Sequence, residues 1–148
     1  MPVAPEMLHV WAGLWLASLL IWISIWDLKH LRIPDRANAV LALSGLFLAA
    51  WRSDGWPASQ MAGATVGYIL FAVIGAVYFR RTGEDGLGLG DAKLLGAAGA
   101  WVGLAALPGL VALAAISALA YALAIKCRRL AFGPWLSASL LLHWMLLA

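Results

Sequence analysis

Charged residues divide this chain into five long stretches that contain no Asp, Glu, Lys or Arg. These stretches are residues 7–26, 37–51, 55–79, 94–125 and 130–148. A helix needs roughly 20 apolar residues to cross the hydrocarbon core of a bilayer. Only 11% of the residues are charged, whereas soluble domains carry about 25%. The sequence therefore predicts a membrane protein and excludes a water-soluble globule, and its single cysteine excludes a disulfide scaffold.

The fourth stretch is interrupted by Pro108-Gly109, a pair typical of turns, so we divide it into two spans. The apolar runs are continuous rather than alternating, which favours helices over a β-barrel. We predict an all-α, polytopic integral membrane protein with one domain, residues 1–148. Its six transmembrane helices are placed near residues 8–26, 37–51, 58–79, 92–106, 109–125 and 133–147. The pairs Gly63/Gly67 and Gly99/Gly103 predict close helix packing in preference to a dimer interface.

The basic residues predict the orientation, because Lys and Arg are enriched in cytoplasmic loops. With the N-terminus outside, the cytoplasmic loops are 27–36, 80–91 and 126–132. Nine of the ten Lys and Arg residues then lie on the cytoplasmic side, and only Arg52 lies outside. The nine are Lys29, Arg32, Arg36, Arg80, Arg81, Lys93, Lys126, Arg128 and Arg129. We therefore predict a protein of the cytoplasmic (inner) membrane with both termini outside.

Two acidic residues on the predicted cytoplasmic side stand at helix–loop junctions. Asp27 closes the first helix and Asp91 opens the fourth. Each has a local explanation: Asp27 as a charged end to its span beside Lys29, and Asp91 as a helix N-cap. Together they suggest chemistry, because two neighbouring carboxyl groups cannot both ionise easily. The ionised group can take a proton from water while the neutral group donates one to a carbonyl oxygen, as in aspartic proteases.

Other kinds of site are less favoured. The histidines and Cys127 show no metal-ligand spacing, so we expect no metal and no cofactor. The glycines of residues 86–90 either form a flexible loop or let the backbone approach another segment closely. A transporter or channel subunit with Asp27 and Asp91 as an ion or proton site remains an alternative. A structural membrane subunit of a secretion machine is another, and in it no acidic residue would be individually essential.

Three segments, in order, resemble the motifs of type IV prepilin peptidases. Residues 27–35, DLKHLRIPD, resemble the first-aspartate motif, an Asp followed several residues later by Ile/Leu-Pro-Asn/Asp. Residues 88–95, GLGDAKLL, resemble the Gly-x-Gly-Asp-x-Lys-Leu motif. Phe132-Gly133-Pro134-Trp135 resembles the Phe-Gly-Pro segment before the last helix.

The resemblance implies a GxGD-type aspartic endopeptidase that removes the basic leader from type IV prepilins or prepilin-like subunits, such as pseudopilins and preflagellins. Cleavage would occur at the cytoplasmic membrane face, and Asp27 and Asp91 match the two catalytic aspartates. The implied partners are a prepilin substrate and the lipid bilayer, with no nucleic acid. Many members also carry a cysteine-bearing domain near the first helix and N-methylate the product. With one cysteine and a start close to its first span, this chain is expected to be a short, peptidase-only form without N-methyltransferase activity.

Further residues of these motifs have weaker assignments. Gly88 and Gly90 belong to the motif loop that precedes Asp91. Pro34 and Asp35 are expected to start the second helix, with Asp35 as its cap, and Lys93 is interpreted as an interfacial anchor. Two more acids in the loop either attract a basic leader or merely offset Arg80 and Arg81; they are Glu84 and Asp85.

Overall fold

The fold is described from a computed structural model that covers residues 5–53, 55–84, 86–126 and 130–147, with backbone only for residues 5 and 6. All regular structure in these ranges is helical, which confirms the all-α class. The helices are α1 Pro5–His30, α2 Asp35–Arg52, α3 Ala58–Thr82, α4 Leu89–Val102, α5 Leu107–Ile125 and α6 Gly133–Leu147, with a 3-10 turn at Leu104–Ala106. Asp85 and Cys127 lie outside the described residues.

Three segments are long and apolar enough to cross a membrane: Met7–His30, Ala58–Thr82 and Leu104–Ile125. Their outer faces carry many exposed large apolar side chains, such as Ile21, Val73 and Leu123, as a lipid-facing surface requires. The central α4 has only 14 residues, a length of about 21 Å against a hydrocarbon core of about 30 Å. Six complete crossings therefore remain a prediction.

The short helix α4 forms the centre of the bundle. Its residues from Leu94 to Trp101 are all buried, and it packs against α2, α3 and α6. Glycine permits this packing: a Cβ at Gly67 would lie 2.9 Å from the Leu95 carbonyl oxygen, and one at Gly63 would lie 2.8 Å from that of Gly99. The predicted close packing at these glycines is confirmed, and it occurs within one chain, between α3 and α4.

The break between α4 and α5 differs from the prediction. Helix α4 ends at Val102 rather than at residue 106, and Gly103 has a φ of +80°, which side chains other than glycine rarely adopt. The freed Leu104 N–H donates to Ser59 Oγ at 3.3 Å. Pro108 is not in the break but in the first turn of α5, where its missing N–H has no helical partner to lose. The predicted turn at Pro108-Gly109 is therefore wrong.

The connection between α1 and α2 brings several motif residues to one end of the bundle. Helix α1 continues to His30, four residues past its predicted end, and Leu31 adopts a left-handed φ of 50°. Pro34 is the N-cap of α2 and Asp35 its first residue, with no side-chain capping hydrogen bond. The prediction that Asp35 caps this helix is wrong, because proline occupies the cap position and the Asp35 carboxylate binds elsewhere.

Candidate active site

An open cavity of about 1620 Å³ lies where α1 and α3 end and α2 and α4 begin. Its floor and walls come from the α1–α2 connection, the apolar end of α3 around Phe71 and Gly75, and the glycine-rich segment before α4. Asp27 and Asp91 both line it. The structure therefore brings the two predicted aspartates to one site from opposite ends of their helices.

Asp27 lies one turn before the end of α1 and is 5% exposed. Its Oδ2 accepts a hydrogen bond of 3.1 Å from the backbone N–H of Gly133, the first residue of α6. The first amides of a helix lack helical acceptors and carry a partial positive charge, so this amide stabilises a buried carboxylate. Among the described residues Asp27 forms no salt bridge, and the Lys29 pairing considered from the sequence is not present.

Gly133 belongs to the site, although it is not among the residues that the sequence predicts for it. A Cβ at this position would collide with the Asp27 carboxylate, and it would also lie 3.3 Å from Ile33 Cδ1. Only glycine lets α6 start this close to Asp27. The Phe-Gly-Pro segment was the available signal, but its contact partner is 106 residues away in the chain.

Asp91 is the third residue of α4, and the N-cap is Gly88, so the N-cap interpretation of Asp91 is wrong. The backbone N–H of Gly88 nevertheless favours the ionised form of the Asp91 carboxyl group. Asp91 lies outside the three segments that are long and apolar enough to cross a membrane. Burial and the nearby charge of Asp27 raise its pKa to about 6, against the opposing effect of the Gly88 hydrogen bond.

The glycines before Asp91 serve close approach. A Cβ at Gly90 would lie 3.3 Å from Ile33 Cβ, and one at Gly86 would collide with the Tyr78 ring. Gly88 has an extended backbone (φ −71°) that any residue can adopt. The segment is thus packed against α3 on one side and the α1–α2 connection on the other, which favours the close-approach interpretation over a merely flexible loop.

Lys93 binds a partner that its sequence position did not indicate. Its Nζ lies 2.6 Å from Oδ1 of Asp35, and this ion pair joins the first residue of α2 to the second turn of α4 at the cavity. The Asp35 side chain is 72% exposed, and pairs of this kind contribute about 1 kcal/mol or less. The pair therefore adds little to the stability of the fold.

The remaining polar groups at the cavity are mixed in sign. Glu84 is exposed and lines it, as the leader-binding hypothesis requires, and basic side chains line it as well; they are Arg32 and Arg36. Among the described residues no group of three or more His, Cys, Asp or Glu side chains could hold a metal ion.

Comparison with known proteins identifies the family. The model of the Type IV leader peptidase family matches residues 14–123, a range that includes both aspartates and the Gly-x-Gly-Asp segment. The chain belongs to this family. The resemblance to this family is thereby confirmed; two of its three motifs lie within the matched range, and the Phe-Gly-Pro segment at residues 132–134 lies outside it.

Curated relatives agree with this membership. The chain is 36% identical over 135 residues to the prepilin leader peptidase/N-methyltransferase of Pectobacterium carotovorum subsp. carotovorum, covering 86% of this chain and 48% of that protein. It is 37% identical over 131 residues to the leader peptidase HopD of Escherichia coli, covering 83% and 84%. A prepilin leader peptidase/N-methyltransferase of Neisseria gonorrhoeae is 36% identical, with 46% of its length covered. The chain thus spans about half of the two bifunctional relatives. No solved structure matches the chain.

Proposed function

We propose that this chain is an aspartic endopeptidase that cleaves the basic leader from type IV prepilins or prepilin-like subunits, pseudopilins and preflagellins included. The observation that carries the proposal is the meeting of Asp27 and Asp91 in one cavity, close enough for the charge of one to hinder ionisation of the other. Family membership and the names of the relatives supply the substrate class.

The geometry supports a division of roles between the carboxyl groups. The Gly133 amide stabilises negative charge on Asp27, so Asp27 is the base that takes a proton from the attacking water. Asp91, with its raised pKa, holds the shared proton and donates it to the oxygen of the scissile carbonyl. Collapse of the tetrahedral intermediate then breaks the C–N bond, and the proton taken by Asp27 passes to the leaving amine. One hydroxyl proton of the intermediate returns to Asp91, which restores the starting protonation of the pair.

We propose further that all six helices lie in the cytoplasmic membrane as one peptidase domain, with both termini outside and the cavity at the cytoplasmic face. Positive charge supports this orientation, since Arg32 and Arg36 line the cavity and Arg80 and Arg81 end α3 beside it. Arg52 lies at the other end of the bundle, over the Trp144 ring at 5.3 Å.

Glu84 is exposed at the cavity, and its negative charge would attract a basic leader. We therefore expect Glu84→Ala to raise KM for a Lys/Arg-rich leader. An unchanged KM would remove this role.

The described residues give no support to a transporter. Such proteins bind ions near the bilayer midplane at broken helices. Here Asp91 lies at the start of α4, whereas the helix break at Gly103 follows the opposite end of α4.

The expected lack of N-methyltransferase activity stays a prediction, and mass spectrometry of the new N-terminus of a cleaved substrate measures it.

The decisive test is cleavage of a prepilin-like substrate by the purified protein in detergent. Asp27→Asn and Asp91→Asn should each lower kcat by about a hundredfold or more, because each removes a proton-transferring group. Asp35→Asn is the matched control, a carboxyl group at the same cavity with no proposed role in proton transfer. Retained tertiary structure, measured by thermal unfolding, must accompany each loss, and full activity of either aspartate variant would refute the assignment of that residue.

A further inference from the structure

A buried amide on α2 contacts the backbone next to Asp91. Asn38, in the first turn of α2, is 3% exposed. Its Nδ2 donates to the carbonyl oxygen of Gly90 at 3.4 Å. The reverse orientation of this amide would place its oxygen against the Gly90 oxygen, two acceptors in contact, so the donor must face Gly90. Asn38 thus holds the peptide that leads into Asp91.

The fold gains little stability from this side chain. Asn38 Oδ1 is buried and accepts no hydrogen bond from any described residue, which is a cost that an apolar side chain of similar size avoids. The Gly90 oxygen does not depend on Asn38 either, because a helical carbonyl also accepts from the amide four residues later. Neither side-chain packing nor the hydrogen bonding of the Gly90 carbonyl oxygen therefore explains why this position holds an amide side chain.

The contact does connect the two halves of the site. Gly90 is held between Asn38 and Ile33. A Cβ added at Gly90 would lie 3.3 Å from the Cβ of Ile33. Ile33 lies in the α1–α2 connection, three residues after α1 ends at His30. The segment that follows Asp27 is therefore fixed directly to the segment that precedes Asp91.

We propose that Asn38 is a positioning residue that sets the separation of the Asp27 and Asp91 carboxyl groups by holding the Gly90 carbonyl. The inference rests on the proposed peptidase function, since only there does this separation decide a rate. Loss of the amide lets the start of α4 shift away from α2, so that the shared proton is poorly placed. Substrate binding along the rest of the cavity is unchanged.

The pH dependence of kcat reports this separation. In the dyad, kcat falls as pH rises through the higher of its two apparent pKa values, because the acid then loses its proton. If Asp91 moves away from Asp27, their repulsion weakens and this fall shifts to lower pH. No Asn38 variant replaces any of the other titratable groups that line the cavity: Arg32, Asp35, Arg36, Tyr78, Glu84 and Lys93.

The test compares Asn38→Leu and Asn38→Ala with Ser139→Ala. Ser139 is also 3% exposed and also joins two helices, since its hydroxyl donates to the Leu110 oxygen at 2.8 Å. We expect Asn38→Leu to lower kcat by roughly ten- to a hundredfold, with KM nearly unchanged and Tm equal to or above that of the parent. The basic limb of its pH profile should move to lower pH. Ser139→Ala should lower Tm while it keeps kcat and the pH profile.

Two results would overturn the inference. One is a parental kcat and pH profile in folded Asn38→Leu or, if leucine prevents folding, in Asn38→Ala. The other is a loss of kcat in both variants with an unmoved pH profile, which a smaller folded fraction would produce. Asp27→Asn and Asp91→Asn belong in the same assay. If these two variants cleave the substrate, the peptidase proposal fails. If they do not cleave it and the Asn38 variants behave as the parent does, only the positioning role fails.

Discussion

At the scale of single residues, the site depends on a glycine as much as on its acids. Gly133 lets the first amide of α6 reach the Asp27 carboxylate, and a methyl group there would collide with that carboxylate. We expect Gly133→Ala to lower kcat by about tenfold or more, because the displaced carboxylate loses both its amide donor and its position. The measurement is steady-state cleavage of a prepilin-like peptide.

Gly13→Ala is a suitable control for this change. A Cβ at Gly13 would lie 3.5 Å from Trp144 Nε1, an ordinary contact, and alanine favours a helix over glycine. This variant should keep its activity. Equal activity of the two alanine variants would show that the close contact at Gly133 does not matter to the reaction.

The raised pKa of Asp91 implies a cost in stability. Its pKa is raised from 3.8 to about 6, so the folded state binds a proton that the unfolded state has released between these pH values. The parent protein therefore loses stability as pH rises through this window, and the full penalty applies above about pH 6. In Asp91→Asn the side chain does not titrate, so this variant does not lose stability over this pH range.

We expect the Tm of Asp91→Asn, measured relative to the parent protein, to rise between pH 4 and pH 7. Parallel thermal scans in the same detergent across this range measure the difference. A Tm difference that is flat or that falls with pH would contradict the raised pKa. Asp35→Asn is the control, since its carboxylate lies in an exposed ion pair.

At the scale of helices, the contact of α3 with α4 decides where Asp91 is held. A Cβ at Gly99 would collide with the backbone of Gly63, so Gly99→Ala must push the two helices apart. We expect a loss of roughly 1–3 kcal/mol in the free energy of unfolding, together with lower activity because α4 carries Asp91. Denaturant titration measures the first effect, and cleavage the second.

Gly55→Ala is the comparison for this change, because nothing lies within 4 Å of a Cβ there. It should leave stability close to that of the parent. If Gly99→Ala were as stable as Gly55→Ala, the bundle would be able to relax at its centre, and the close α3–α4 contact would not hold the site.

The ends of most helices follow from the charges, whereas their internal breaks do not. α2 and α3 begin and end within about three residues of their predictions, because Arg36, Arg52 and Arg80 mark where the chain leaves an apolar environment. The break after α4 depends on a positive φ at Gly103 and a hydrogen bond to Ser59. Pro108-Gly109 was the stronger local signal, but tertiary contacts prevailed.

At the scale of the whole molecule, sequence reasoning predicts which residues share an end of the bundle but not which ones touch. Asp27 and Asp91 could be paired through topology and motifs. The contacts of Gly133 with Asp27 and of Asn38 with Gly90 could not, because each uses a backbone group, which every residue carries and no sequence pattern marks. Because nearly every face of these helices is apolar, the hydrophobic pattern does not identify the sides that meet.

The proposed orientation predicts which ends of the bundle meet the cytoplasm. Cys127 is first replaced by Ser, and single cysteines are then placed at exposed positions at opposite ends, Glu84→Cys and Gly55→Cys. In intact cells a membrane-impermeant maleimide should label only the second. In permeabilised cells it should label both. Labelling of the Glu84→Cys variant in intact cells would reverse the orientation.

The hydrogen bond from α6 to Asp27 also has a consequence for biogenesis. The amide that completes the Asp27 environment belongs to the last helix in the described chain. While the first five helices leave the ribosome and enter the membrane, the Asp27 carboxylate lacks that donor. Nascent chains therefore carry both acids without their finished surroundings, and the proposed peptidase site is complete only when the sixth helix docks.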